Sequence, residues 1–104
     1  EAHVETAMAF AERILHAKPN TGTRLNFAFK AALSRAPKDT EITYLSKLIE
    51  DRLEIFRKDS DAANEIIKGI KGWKPHAGID TSELAAWFYV ANILLNLDET
   101  ITKG

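Results

Sequence analysis

The sequence predicts an all-α fold, a compact bundle of four to five helices around a buried C-terminal helix, and three observations carry that prediction. Apolar residues recur at helical spacing between the turn residues, no stretch alternates with period two, and the run Leu84 to Thr102 is apolar around almost its whole circumference. A helix without a solvent face belongs in the middle of a bundle. Between Leu84 and Leu97 only Asn92 and Asn96 carry strongly polar side chains. Their amides share a face one turn apart and, if buried, need partners, because an unpaired buried polar group costs about 1–3 kcal/mol. Leu84, Trp87 or Phe88, Ala91 and Leu94 or Leu95 form one stripe, and Val90, Ile93 and Leu97 a second. Two stripes predict two sets of packing partners. The run is shorter than the roughly 20 apolar residues that cross a bilayer, and amides interrupt it, which predicts no membrane insertion.

The first helix is expected over about His3 to Ala17, where Val4, Met8, Ala11 and Leu15 make a stripe that ends at Pro19-Asn20-Thr21-Gly22. Thr21 or Thr23 is the expected cap of a second helix reaching Arg35, with Leu25, Ala28 or Phe29, Ala32 and Leu33 on its apolar side, before Pro37 intervenes. Asp39 or Thr40 then caps the longest amphipathic helix, on which Ile42, Leu45, Ile49, Leu53 and Phe56 face the core. Its other side, with Lys47, Glu50, Asp51, Glu54, Arg57 and Lys58, is expected in solvent. A shorter fourth helix starts at Ser60 or Asp61 and carries Ala62, Ala63, Ile66, Ile67 and Ile70. The stretch Trp73 to Ile79 has a proline, flanking glycines and no periodicity, so it reads as a surface loop that Trp73 pins down. Asp80 or Thr81, with Glu83, starts the central helix in capping-box fashion.

A chain of 104 residues is one domain by size, large enough for a core without disulfides or a structural metal. With 14 basic against 15 acidic residues, the balance gives no general electrostatic reason to bind nucleic acid or anionic lipid. A helix-turn-helix reading of Leu25 to Phe56 meets the same objection, since Glu50, Asp51 and Glu54 interrupt the bases of the outer face. The absence of cysteine removes thiol catalysis, thiolate metal sites and covalent haem attachment. His3, His16 and His76 lack ligand spacing, and Ser34, Ser46, Ser60 and Ser82 lack a nucleophile-elbow setting. These patterns predict no catalytic residue, no cofactor and no metal. The helical pattern begins at the first residues, so no signal peptide is expected within the segment, and a segment cut from a longer protein would look the same.

Three segments together, AFAERIL at Ala9 to Leu15, FAFKAALSRAPKDTEI at Phe27 to Ile42 and LAAWFYVANILLNLDET at Leu84 to Thr100, resemble the C-terminal domain of unknown function of planctomycete cytochrome-associated surface proteins. That family joins two helices through a leucine, a small residue, an arginine and a proline pair, and closes on a Leu-Leu-Asn-Leu-Asp-Glu signature. Here Ala36 replaces the first proline and Lys38 the capping threonine, which moves the expected cap to Asp39 or Thr40. The resemblance implies that residues 1–104 are a single helical domain from the C-terminus of a larger protein in an exported setting, periplasmic or at the cell surface, in a family whose members often carry a haem-binding module upstream. It transfers no catalytic residue, and this chain has no Cys-x-x-Cys-His.

The charged residues within the matching motifs are Arg35, Glu41, Asp98 and Glu99. Arg35 is expected to bridge helix ends through carbonyls of its own C-terminus and a carboxylate from Glu41, Asp98 or Glu99, within a structural polar cluster that includes Asn92 and Asn96. Trp73, Arg35 and Glu41 are the candidate interface. The functional expectation is a non-catalytic docking or structural module whose partners are other domains of the parent chain or an envelope protein. The alternative is a carbohydrate-binding module, or an accessory wall of a carbohydrate-active site, with a glycan as partner.

Overall fold

A computed structural model of the chain describes residues 4–70 and 78–103, with side chains through residue 97. Five helices follow one another: α1 (Val4–Ala17), α2 (Thr21–Leu33), α3 (Asp39–Lys58), α4 (Ser60–Lys68) and α5 (Thr81–Lys103). Among the described residues there is no strand. The all-α bundle around the last helix is therefore the observed fold. Trp73 lies outside the described residues.

Local chemistry sets the helix ends. Asn20 caps α2, its side-chain oxygen accepting the Thr23 N–H at 3.0 Å and the Thr23 hydroxyl at 2.9 Å. The cap expected at Thr21 or Thr23 thus falls on Asn20, because an amide one residue before the helix reaches the third amide without leaving its extended backbone. Asp59 caps α4 through Ala62 N–H, so α3 passes into α4 across a single residue. Before α5 the chain turns through Gly78 at φ 90°, a region that costs a Cβ-bearing residue energy. Asp80 then caps α5, its Oδ1 accepting the Ser82 N–H at 2.9 Å.

α5 packs against all four other helices, most extensively against α1. One side enters the main core, where Trp87, Val90, Ala91 and Leu94 meet Met8 and Ile14 of α1, Leu25 and Phe29 of α2 and Ile49 of α3. The other side makes a smaller cluster, in which Ala85 and Ala86 meet Phe56 at the end of α3 and Ala63 of α4, with Tyr89 at its margin. Two packing sets exist as expected, but their membership differs. Val90 joins the main core, and Leu97 of the expected second stripe is 39% exposed. Two adjacent alanines supply the second contact, small enough for α4 to lie close against the α5 backbone.

Trp87 is 1% exposed at the centre of this arrangement. Replacing it with alanine removes the largest wholly buried side chain among the described residues and leaves a cavity between the helices. Trp87→Ala is expected to lower unfolding free energy by about 3–5 kcal/mol, and Leu97→Ala to change it by no more than about 0.5 kcal/mol, both read from urea titration.

Candidate functional site

The α2–α3 corner is closed by a two-armed arginine–carboxylate pair. α2 ends at Leu33, and Ser34 takes the left-handed conformation with φ 60° and ψ 29°, its N–H donating to the Lys30 carbonyl at 3.2 Å. This reversal turns Arg35 back toward the incoming helix. Pro37 holds the connection out of helical geometry, and Lys38 is the extended residue that precedes α3. The cap expected at Asp39 or Thr40 is therefore wrong by one or two residues. Lysine offers no side-chain acceptor, and Glu41 supplies one from inside the first turn, its Oε1 accepting the Lys38 N–H at 2.8 Å.

Arg35 meets the same carboxylate with both arms of its guanidinium. Nη1 donates to Oε1 and Nη2 to Oε2, each at 2.8 Å, while Nη1 also donates to the Ala36 carbonyl at 3.1 Å. The guanidinium carbon lies over the Phe29 ring, 5.3 Å from its centre, which adds a cation–ring contact to the paired hydrogen bonds. Glu41 accordingly accepts three hydrogen bonds, all of which favour its charged form. The bonds from Arg35, then the Lys38 N–H, outweigh partial burial and pull its pKa from 4.5 to about 2. A carboxylate so committed is permanently ionised near neutral pH, where a proton-transfer group needs a pKa close to the working pH. The corner is chemically a clamp.

A second arginine ties the opposite ends of the helices. Arg24 donates from Nη1 to Glu83 Oε2 at 2.9 Å and from Nε to the Lys18 carbonyl at 2.8 Å, with its carbon 6.0 Å from the centre of the Trp87 rings. Its side chain is only 11% exposed. One residue thus joins the end of α1, the start of α2 and the first turn of α5. Glu83, expected to close a capping box, gives an oxygen to Arg24 instead. The pair spans 59 residues of chain, which local spacing cannot reveal. The pattern recurs: Arg13 lies over Phe27 at 5.3 Å and Arg52 over Tyr89 at 4.6 Å.

The structure brings Arg35 and Glu41 together. Asn92 and Asn96 stand half-buried on α5, and the side chains of Asp98 and Glu99, like all of Trp73, lie outside the described residues. Among the described residues no cluster of three or more His, Asp or Glu side chains is arranged to hold a metal ion, and no helix is long and apolar enough to cross a membrane. Two features escaped the sequence reading. Tyr44, three residues beyond Glu41, is 65% exposed and stands beside a shallow recess lined by Asp39, Thr40 and Thr43. Charge is also segregated: residues 13–38 hold six of the 14 basic residues and none of the 15 acidic ones. The near-zero total conceals this, and a running count of charge would have exposed it.

Because folding lowers the Glu41 pKa, the clamp contributes its full stability above about pH 4.5 and loses it as pH falls toward about 2. Glu41→Gln is expected to lower the urea midpoint at pH 6, with the gap to the unaltered chain closing between these two values. Arg35→Lys keeps the charge but not the two-armed geometry, and is expected to lower the midpoint at pH 6 almost as far as Glu41→Gln.

Compared with protein-family models, with curated proteins and with solved structures, the chain matches none.

Proposed function

We propose that this chain is a non-catalytic docking or structural module of a larger exported, cytochrome-associated protein, and that its α2–α3 corner meets other domains of the parent chain or an envelope partner. The observation that carries the reading is Tyr44, a large aromatic side chain left 65% exposed on the first turns of α3, next to a backbone clamped by Arg35 and Glu41. Tyrosine presents broad apolar area with a hydroxyl at its tip and few torsions to freeze, which is why it recurs at the centres of protein interfaces. A corner already fixed before contact loses little further entropy on binding. The exported, cytochrome-associated setting rests on the resemblance of the Phe27 to Ile42 and Leu84 to Thr100 segments.

The same exposed ring, with the hydroxyls of Thr40 and Thr43 and the carboxylate of Asp39 beside it, supports the second reading, a carbohydrate-binding module or accessory wall of a carbohydrate-active site. Sugars combine apolar faces with hydroxyl edges and suit such a surface.

An amide-shift titration with the upstream portion of the parent protein separates these readings. Docking predicts shifts centred on Tyr44, Glu41 and Arg35, and at least about tenfold weaker binding for Tyr44→Ala, the loss typical of an interface anchor. Shifts at the same residues with soluble oligosaccharide, and none with the protein partner, would replace docking with glycan binding. Unchanged spectra with both at roughly millimolar concentration would remove both readings.

A further inference from the structure

We infer that the groove between α1 and α2 is a second docking surface, built for an acidic amphipathic helix of a partner protein. The inference uses none of the residues of the α2–α3 corner and stands on a separate observation, the gathering of cations around an apolar recess.

The two helices run antiparallel, so residues early in α1 lie beside residues late in α2. One recess, of about 280 Å³, has Ala9, Phe10, Ala31 and Leu95 in its lining, with Arg13 at its edge. A second, of about 460 Å³, is lined by Phe27 with Lys18 and Lys30. Arg13 and Phe27, stacked at 5.3 Å, stand where the two meet. From Thr6 to Lys18 the face is about 18 Å long at 1.5 Å per residue, room for roughly three turns of a partner helix. Arg13, Lys18 and Lys30 are exposed and have no carboxylate partner among the described residues. Of the two acidic residues on α1, Glu12 has a side chain only 5% exposed and lies 3.9 Å from His16 Nε2, and Glu5 is exposed but lines neither recess. The solvent-facing charge of the groove is therefore positive over an apolar floor.

That combination selects among anionic partners. A nucleic-acid backbone offers phosphates but little apolar surface to fill a recess lined by alanine and phenylalanine. A membrane surface favours apolar groups that project from the protein, whereas these lie between two helices. An amphipathic helix with Asp or Glu flanking an apolar stripe satisfies both parts at once: its ridge enters the groove, and its carboxylates meet Arg13, Lys18 and Lys30.

The test titrates the isotopically labelled chain with a synthetic 15-residue helix whose leucine stripe is flanked by glutamates, and with a twin carrying lysines instead. The expected result is saturable shifts at Ala9, Arg13, Phe27, Lys30 and Ala31 with the glutamate peptide alone, weakening as salt is raised. Arg13→Glu combined with Lys30→Glu should weaken binding roughly tenfold with helical content unchanged. Ala31→Trp, which fills the groove without altering charge, should weaken it comparably. Equal binding of the lysine twin, shifts confined to the Tyr44 corner, or no shifts at about millimolar peptide would overturn the inference. So would groove shifts that track the chain's own concentration, which would assign the face to a second copy. Shifts produced by phosphatidylglycerol vesicles but not by the peptide would assign it to lipid, and equally overturn it.

Discussion

Everything in this molecule depends on the burial of one helix by four. α1 to α4 each carry a single apolar side, and none could shield it from water alone; α5 is the shared surface against which they do so. The hydrophobic effect is non-directional and would accept many such clusters. Shape decides among them. Trp87 and Leu94 fill one side, while Ala85 and Ala86 present almost bare backbone on the other, so the large helices and the short α4 find seats of different depth.

Polar chemistry then fixes the ends of that packing. Arg24 fastens α5 to the α1–α2 turn, and Arg35 fastens the α2–α3 turn to itself. Arg35 sets two arms on one carboxylate, Arg24 sets one arm on Glu83 and its Nε on a carbonyl, and each guanidinium lies over an aromatic ring, a combination that lysine does not reproduce. The first tie joins distant parts of the chain and the second joins neighbours. Helix packing sets which elements touch, and these ties set the angle at which the chain enters and leaves them. Tyr44 stands about one turn beyond the second tie, and the α1–α2 groove begins near the first.

Periodicity made the architecture readable because a helix with one apolar side repeats its preference every turn, and a helix with none announces its central position. It was silent about Ala85 and Ala86, since alanine fits core and surface alike and marks no stripe. The caps were read unevenly: Asp80 stands where the sequence put it, Asn20 is chosen by its extended backbone over the neighbouring Thr21 and Thr23, and before α3 Lys38 takes the place given to Asp39 or Thr40. Arg35 and Glu41 lie six residues apart, and Glu41 was one of three carboxylates the sequence offered Arg35, whereas Arg24 and Glu83 are 59 residues apart and meet only through the packing of α2 on α5. The basic character of residues 13–38 was written in the sequence and hidden by averaging over the chain.

The placement of the shared helix after the four that pack on it also sets an order on their synthesis. A ribosome releases α1 to α4 before α5, so the faces of Met8, Ile14, Leu25, Phe29 and Ile49 emerge without the surface that will cover them. Until α5 leaves the exit tunnel the nascent segment is a set of amphipathic helices with no common core, open to chaperones and to one another. Assembly of these five helices is therefore withheld until α5 arrives, and a chain broken off before α5 lacks the partner that the other four share.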